Sequence, residues 1–427
     1  MNRSALAERR RFFANVWRWV AGLSLTAAVA ACGGVDSNSS QWVASWYAAQ
    51  QNYNEVPPPI IDPSLPPLTI SNQTVRQIVH TSYGGSQIRI KLSNLFGTAP
   101  VTFAAVHVAR STGNGNVDTT TDRTATFSGQ GSVTLPAGAE MWSDSITISS
   151  PAQSDLAVSL FIQASAPVVT AHVTGQQTNY LAPGNQSGAD SLSGATTNLS
   201  GVWPYYWLSE VDVSSADKVK VIVTFGDSIT DGYQSTVDAN HRWPNFFDNR
   251  VQAAVGSVGK ASVVNAGISG NRWLQDIIGP AGQGRFARDV TGVSGATHVV
   301  ILLGINDIGF GMAIPAQAES SDQIIAAINA AIAQAKTRKM KVFLATLLPY
   351  QGADYFDAVG ETKRQAINAY IRSASGIDGV IDFDKAMQDP SNPATLLPAY
   401  DSGDHLHPND VGYQAMANAI DLNLLNR

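Results

Sequence analysis

Cysteine is all but missing from this chain of 427 residues, where Cys32 is the only one. No disulfide can form within one chain, whatever the redox state of its compartment. Charge is scarce as well. Only 14% of residues are charged and the formal net charge is -6. With no basic block beyond the first residues, nucleic acid is not an expected partner. No apolar run is long enough to span a bilayer outside one segment near the start. Hydrophobic residues reach 44%, which reads as globular, with a surface of Ser, Thr, Asn, Gly and Gln in place of charge. At this length, two domains plus an export segment are expected.

The segment near the start has three parts. Arg3, Arg9, Arg10, Arg11 and Arg18 make it positive, an apolar stretch runs from Val20 to Ala31, and small residues close it at Val29-Ala30-Ala31-Cys32. This is the plan of a secretory signal peptide over residues 1–31. The closing tetrapeptide resembles a bacterial lipobox, in which Cys32 would be the lipidated residue and the new N-terminus. Arg9-Arg10-Arg11-Phe12-Phe13 resembles a twin-arginine export motif. A lone Cys at that place reads better as an acyl acceptor than as a catalytic thiol. The expected location is periplasmic or outer-surface, as a lipoprotein that meets the membrane only through its lipid anchor. Residues 32–41 are small and polar and suit a flexible tether.

Residues 42–214 carry a period of two. Ile88, Ile90 and Leu92 alternate with Arg89, Lys91 and Ser93; Leu156, Val158, Leu160 and Ile162 alternate with Ala157, Ser159, Phe161 and Gln163. Such alternation predicts one buried face and one face toward solvent. Gly84-Gly85 and Pro136-Ala137-Gly138 read as turns. Short strands punctuated by Gly and Pro predict a β-sandwich or jelly-roll-like domain. The Pro-rich stretch 56–67 reads as a long irregular loop that could border a binding surface. Trp42, Trp46, Tyr47, Trp203, Tyr205, Tyr206 and Trp207 form aromatic clusters. They could stack on sugars if exposed, but burial is the favoured reading.

The texture changes over residues 215–427. Continuous apolar strands are predicted at 219–225, 263–266, 298–303, 341–347 and 379–383. Helical patterns lie at 322–339, where Ile324, Ile328 and Ile332 share a stripe, and at 362–373 and 409–425. Apolar strands alternating with helices predict an α/β domain with a parallel sheet covered on both faces.

Ligands of open α/β sheets bind beyond the carboxyl ends of the strands. There this chain puts Gly226-Asp227-Ser228-Ile229, then Gly267-Ile268-Ser269-Gly270-Asn271, then Gly304-Ile305-Asn306-Asp307. Before the last helix it puts Asp404-His405-Leu406-His407-Pro408. This ordered set resembles the SGNH, or GDSL-type, hydrolase family. Ser228, Gly270, Asn306 and His407 match its four named residues and Asp404 its Asp, with Ile229 in place of the usual Leu. The resemblance implies a flavodoxin-like domain with a five-stranded parallel sheet and a serine esterase that needs no cofactor and no metal. The half before it resembles, more loosely, the β-rich domain that precedes the catalytic domain in some bacterial members.

The chemistry agrees with these residue types. A Ser hydroxyl needs an adjacent base, which His407 can be, and Asp404 can hold the imidazole in one tautomer. The resemblance implies an oxyanion hole from the N–H groups of Ser228 and Gly270 and the Asn306 side chain. Asp227 reads as a turn or cap residue, Asp307 as structural, and His298, opening a strand, as structural too. His405 competes with His407, and the pair beside Asp404 also has the look of a metal site. His241-Arg242-Trp243-Pro244 and Trp273 could shape a pocket or fill the core. The expected substrate is a carboxylic ester of short acyl length, such as acetyl on a polysaccharide. Lipase, arylesterase and acyltransferase activities stay open on the same site, as does a non-catalytic carbohydrate-binding protein.

Overall fold

The structure is a computed structural model, and it describes residues 40–56, 68–197 and 203–427. The expected signal peptide, Cys32, most of the tether and nearly all of the Pro-rich loop lie outside the described residues. Residues 40–427 pack as one compact unit.

The first half is a sandwich of two antiparallel sheets. Its longer strands are β1 (Gln41–Tyr47), β2 (Gln73–Thr81), β3 (Gly85–Ser93), β4 (Ala105–Gly113), β5 (Asn116–Thr124), β6 (Ser154–Ile162) and β7 (Leu208–Ser215). One sheet runs β1-β7-β3, with Glu140–Trp142 and Ile146–Ser150 on the far side of β3. The other places Thr196–Thr197 and Tyr180–Pro183 before β2-β6-β4-β5. Ile88, Ile90 and Leu92 of β3 and Leu156, Val158, Leu160 and Ile162 of β6 meet in the core between them.

The alternation predicted for β6 holds on that inner face and fails on the other. Ala157, Ser159 and Phe161 are buried too. Ala157 packs with Ile78, Ala109 and Val117 in a second small cluster. Beside it Arg76, fully buried, donates from Nε to Ser159 Oγ at 2.9 Å and from its other nitrogens to the carbonyls of Gly115 and Ala189 at 2.8 and 2.6 Å. These bonds hold a covering segment over the outer face, so both sides of the strand lose contact with water.

The aromatic clusters are mostly internal. Tyr47, Tyr205, Tyr206 and Trp207 are buried. Trp42 is partly exposed, with the Arg89 guanidinium 4.8 Å from its ring centroid.

The second half is a parallel sheet of β8 (Lys220–Gly226), β9 (Ala261–Gly267), β10 (Ala296–Leu302), β11 (Lys341–Ala345) and β12 (Gly379–Ile381). Its spatial order is β9-β8-β10-β11-β12. This is the flavodoxin-like arrangement, whose switch point lies between β9 and β10 at the end of β8. The helices used below are α1 (Ser228–Asp231), α2 (Trp243–Ala253), α3 (Ile305–Ala313), α4 (Ser321–Thr337), α5 (Ala358–Ser373) and α6 (Asp410–Ala419). Ile324, Ile328 and Ile332 of α4 are buried as their spacing predicts. The helix predicted over 409–425 stops at Ala419. The Asp421 side chain accepts from Asn423 N and starts a separate short turn, Leu422–Asn426.

The halves meet through a packed face. Val43, Ala44 and Tyr47 of β1 belong to the core of the parallel-sheet half. Ser262 Oγ donates to Ala44 O at 2.7 Å, and Ala44 N to Ser294 O at 2.9 Å.

Candidate active site

The turn after β8 is too tight for any side chain at Gly226, where a Cβ would sit 2.4 Å from the Leu302 carbonyl oxygen. Asp227 then caps α1, its Oδ1 accepting from Ile229 N at 3.1 Å, the cap role expected of it. Its other oxygen is buried without a partner, and burial raises the carboxyl from 3.8 to about 7. Ser228 therefore stands at the first position of a helix, at the mouth of the sheet.

His407 reaches it from the far end of the chain. Its Nε2 lies 2.8 Å from Ser228 Oγ, and its Nδ1 lies 2.7 Å from Asp404 Oδ2. Asp404 Oδ1 also accepts the backbone N–H groups of Leu406 and His407, at 3.0 and 2.8 Å. Burial works to raise the Asp404 carboxyl. The hydrogen bonds and charge of His407 outweigh it and hold the carboxyl well below the usual carboxylate range. An ionised Asp404 accepts Nδ1–H, which leaves Nε2 with a lone pair for the serine proton. Tyr233, exposed, packs edge-on against the His407 ring at 4.8 Å.

His405, the competing histidine, points elsewhere. Its Nδ1 pairs with Asp401 at 2.6 Å and its side chain is half exposed. Asp401–His405 and Asp404–His407 are thus two separate pairs. Among the described residues, no group of three His, Cys, Asp or Glu could hold a metal ion.

The loop after β9 brings Gly270 to the same edge with φ +78°, and a Cβ there would meet Ile278 Cδ1 at 2.5 Å. Both the backbone angle and the space call for glycine. Asn306 sits in the first turn of α3, buried, with Nδ2 donating to Asn271 O at 3.1 Å and Oδ1 accepting from Tyr355 OH at 3.1 Å. These two bonds decide which end of the amide is which, so its second N–H is free to face a ligand. Asp307 is structural as expected: it accepts Trp273 N with both oxygens, at 2.8 and 3.0 Å, and burial pushes its carboxyl up.

Trp243 and Trp273 are fully buried and belong to the core rather than to a pocket. His241 pairs with Asp410 at 2.7 Å and stacks on Phe246. His298 is buried, stacked on Phe343, and burial lowers it to about 4. The groups that the sequence reading missed are those that hold the site. Tyr355 carried no signal, since nothing near it in the chain points to Asn306. Asp231 had one: it follows Ser228 by three residues on the same short helix.

A hydroxyl, an imidazole and a carboxylate thus stand in series, beside a glycine loop and an oriented carboxamide, at the mouth of a flavodoxin-like sheet. Residues 224–415 match the sequence model of the GDSL-like Lipase/Acylhydrolase family. This part of the chain belongs to that family, and the protein is a carboxylic ester hydrolase. No curated protein matches the sequence significantly. Among solved structures, a GDSL-like lipase from Bacteroides thetaiotaomicron VPI-5482 is similar at 25% identity, covering 48% of this chain and 87% of that one, with a TM-score of 0.37. A mutant acetylxylan esterase from Geobacillus stearothermophilus is similar at 21% identity, covering 48% and 94%, with a TM-score of 0.38. The M. smegmatis aryl esterase is similar at 16% identity, covering 47% and 95%, also with a TM-score of 0.38.

Proposed function

We propose that Ser228 attacks the carbonyl carbon of a carboxylic ester, with His407 taking its proton and passing it to the departing alcohol. The observation that carries this is the contact of Ser228 Oγ with His407 Nε2 at 2.8 Å while Asp404 occupies Nδ1. The oxyanion of the tetrahedral intermediate accepts from the N–H groups of Ser228 and Gly270 and from Asn306 Nδ2. Water, activated by His407, then hydrolyses the acyl-enzyme.

The substrate we propose is a short acyl ester, acetyl in the first place, carried on a polysaccharide. An export segment and a sandwich joined to the enzyme support a glycan outside the cell over a soluble metabolite. The same proposal has Cys32 lipidated and the enzyme tethered outside the cytoplasm. Labelling with a radioactive fatty acid in the wild type, absent in Cys32→Ala, tests the anchor.

The central test is hydrolysis of p-nitrophenyl esters from acetyl to long acyl by protein lacking residues 1–32. Turnover confined to short chains and lost in Ser228→Ala supports the reading. Preference for long chains moves the substrate to lipids. Full activity in Ser228→Ala removes the nucleophile.

A further inference from the structure

Two polar networks run from the sandwich into the loop after β9, and they end on the residues either side of Gly270. The first reaches Ser269. Its N–H and hydroxyl both donate to Asp231 Oδ2, at 3.0 and 2.6 Å. The remaining partners of that carboxylate come from the sandwich. His172 Nε2 lies 3.0 Å from Oδ1, and the Thr174 hydroxyl donates to Oδ2 and lies 2.8 Å from Ser269 Oγ. His172, Thr174 and Asp231 are all buried. The other ring nitrogen of His172 lies 2.9 Å from the Ala49 carbonyl oxygen. A carbonyl and a carboxylate both only accept, so each nitrogen of the His172 ring faces an acceptor. Burial works to raise the Asp231 carboxyl, and the His172 charge and the hydrogen bonds bring it below its ordinary value.

The second network reaches Asn271. Its Oδ1 accepts from Arg285 Nε at 2.9 Å. Arg285 is fully buried and also donates to the Gly226 and Ala266 carbonyls, both at 2.8 Å, tying the ends of β8 and β9 together. It pairs with Asp289 at 3.0 Å, and Asp289 accepts from Tyr47 OH of the sandwich at 2.7 Å.

We propose that the sandwich is part of the catalytic apparatus: His172 and Thr174 are positioning residues that, through Asp231 and Ser269, hold the Gly270 N–H where the oxyanion forms. This rests on the reading of Gly270 as an oxyanion donor. Gly270 lies outside any strand or helix, and glycine resists rotation least of all residues. Its N–H direction is therefore set by its two neighbours. Asp231 closes the helix that Ser228 opens, so one carboxylate ties the nucleophile to the oxyanion loop. Oxyanion donors work because they are oriented beforehand, and a misplacement on the order of 1 Å can cost about a hundredfold in rate.

The test uses the full chain with Thr174→Val, which keeps the shape and removes the hydroxyl, and Thr174→Ser, which keeps the hydroxyl. Three quantities are read: turnover of p-nitrophenyl acetate, inhibition by phenylboronic acid, and amide hydrogen exchange of residues 268–271. The boronate matters because its tetrahedral adduct on Ser228 puts an oxygen in the oxyanion position. Thr174→Val is expected to lower kcat by about tenfold or more with KM changed less than about twofold. It should weaken the boronate by a similar factor and speed exchange in the loop, and Thr174→Ser should restore all three. Unchanged kcat and boronate affinity in Thr174→Val, in an enzyme whose turnover needs Ser228, overturns the proposal even if the melting temperature falls. If turnover survives Ser228→Ala, the active-site reading fails first. Exchange then decides alone, and an unchanged rate at 268–271 in Thr174→Val overturns the clamp.

Discussion

His407 and His172 each face an aspartate, at 2.7 and 3.0 Å, and they differ in what meets the other ring nitrogen. For His407 it is the Ser228 hydroxyl, which can give or take a proton. For His172 it is the Ala49 carbonyl, which can only accept. The first imidazole has a partner with which it can exchange a proton; the second faces an acceptor at each ring nitrogen and has no such partner. Location follows the same division. Asp404 keeps about a third of its side chain open to water, while Asp231 is closed off at the junction of the two halves. A His–Asp pair is thus a proton relay or a rivet according to its third partner.

The comparison breaks most sharply at the histidines. His407→Ala should cut kcat by about 10⁴-fold or more, and Ser228→Ala should add little to it, because the two act as a unit. His172→Gln, in soluble folded protein, should cost only about 10–10²-fold. Equal losses would mean that the two pairs are not different in kind.

Next come the carboxylates. Asp404→Asn removes the acceptor that holds the His407 tautomer and should lower kcat by about 10³–10⁴-fold with little change in KM. Steady-state kinetics that show a KM effect alone would take Asp404 out of the relay.

Smaller effects are expected at the oxyanion side. Asn306→Ala should cost about 10²–10³-fold in kcat. Tyr355→Phe, which removes only the bond that orients the amide, should cost about tenfold. A larger loss in Tyr355→Phe than in Asn306→Ala would show that the phenol meets the substrate itself.

The smallest effect is on stability. The Asp227 carboxyl is raised by burial to about 7. The folded chain therefore holds a proton that the unfolded chain has released, and stability falls as pH rises from about 4 to about 7. Asp227→Asn removes that slope, so its melting temperature should gain on the wild type as pH climbs through the window. A difference that stays constant with pH would show that Asp227 titrates normally.

The parallel-sheet half was legible because its signals are local. Buried strands read as apolar runs, α4 as a stripe at spacing four, and each reactive block lies in the few residues after its strand. The sandwich was legible in type but not in burial. β3 and β6 show the same alternation, yet the outer face of β6 is covered by a segment that Arg76 pins from the neighbouring strand. Nothing in β6 itself announces the cover.

What the sequence alone determined is the class of chemistry: a serine, a glycine, a carboxamide and a histidine with its aspartate, each placed by chain order at one edge of a parallel sheet. Tertiary structure alone decided what holds them. Tyr355 reaches Asn306 across 49 residues, His172 reaches Asp231 across 59, and Tyr47 reaches Asp289 across 242. A side chain's own neighbours in sequence set its backbone, but its orientation in a buried site is set by whichever polar groups must be satisfied there. Tyr355 and Asn306 meet when the parallel-sheet half folds, and His172 and Tyr47 reach their partners only when the two halves close on each other.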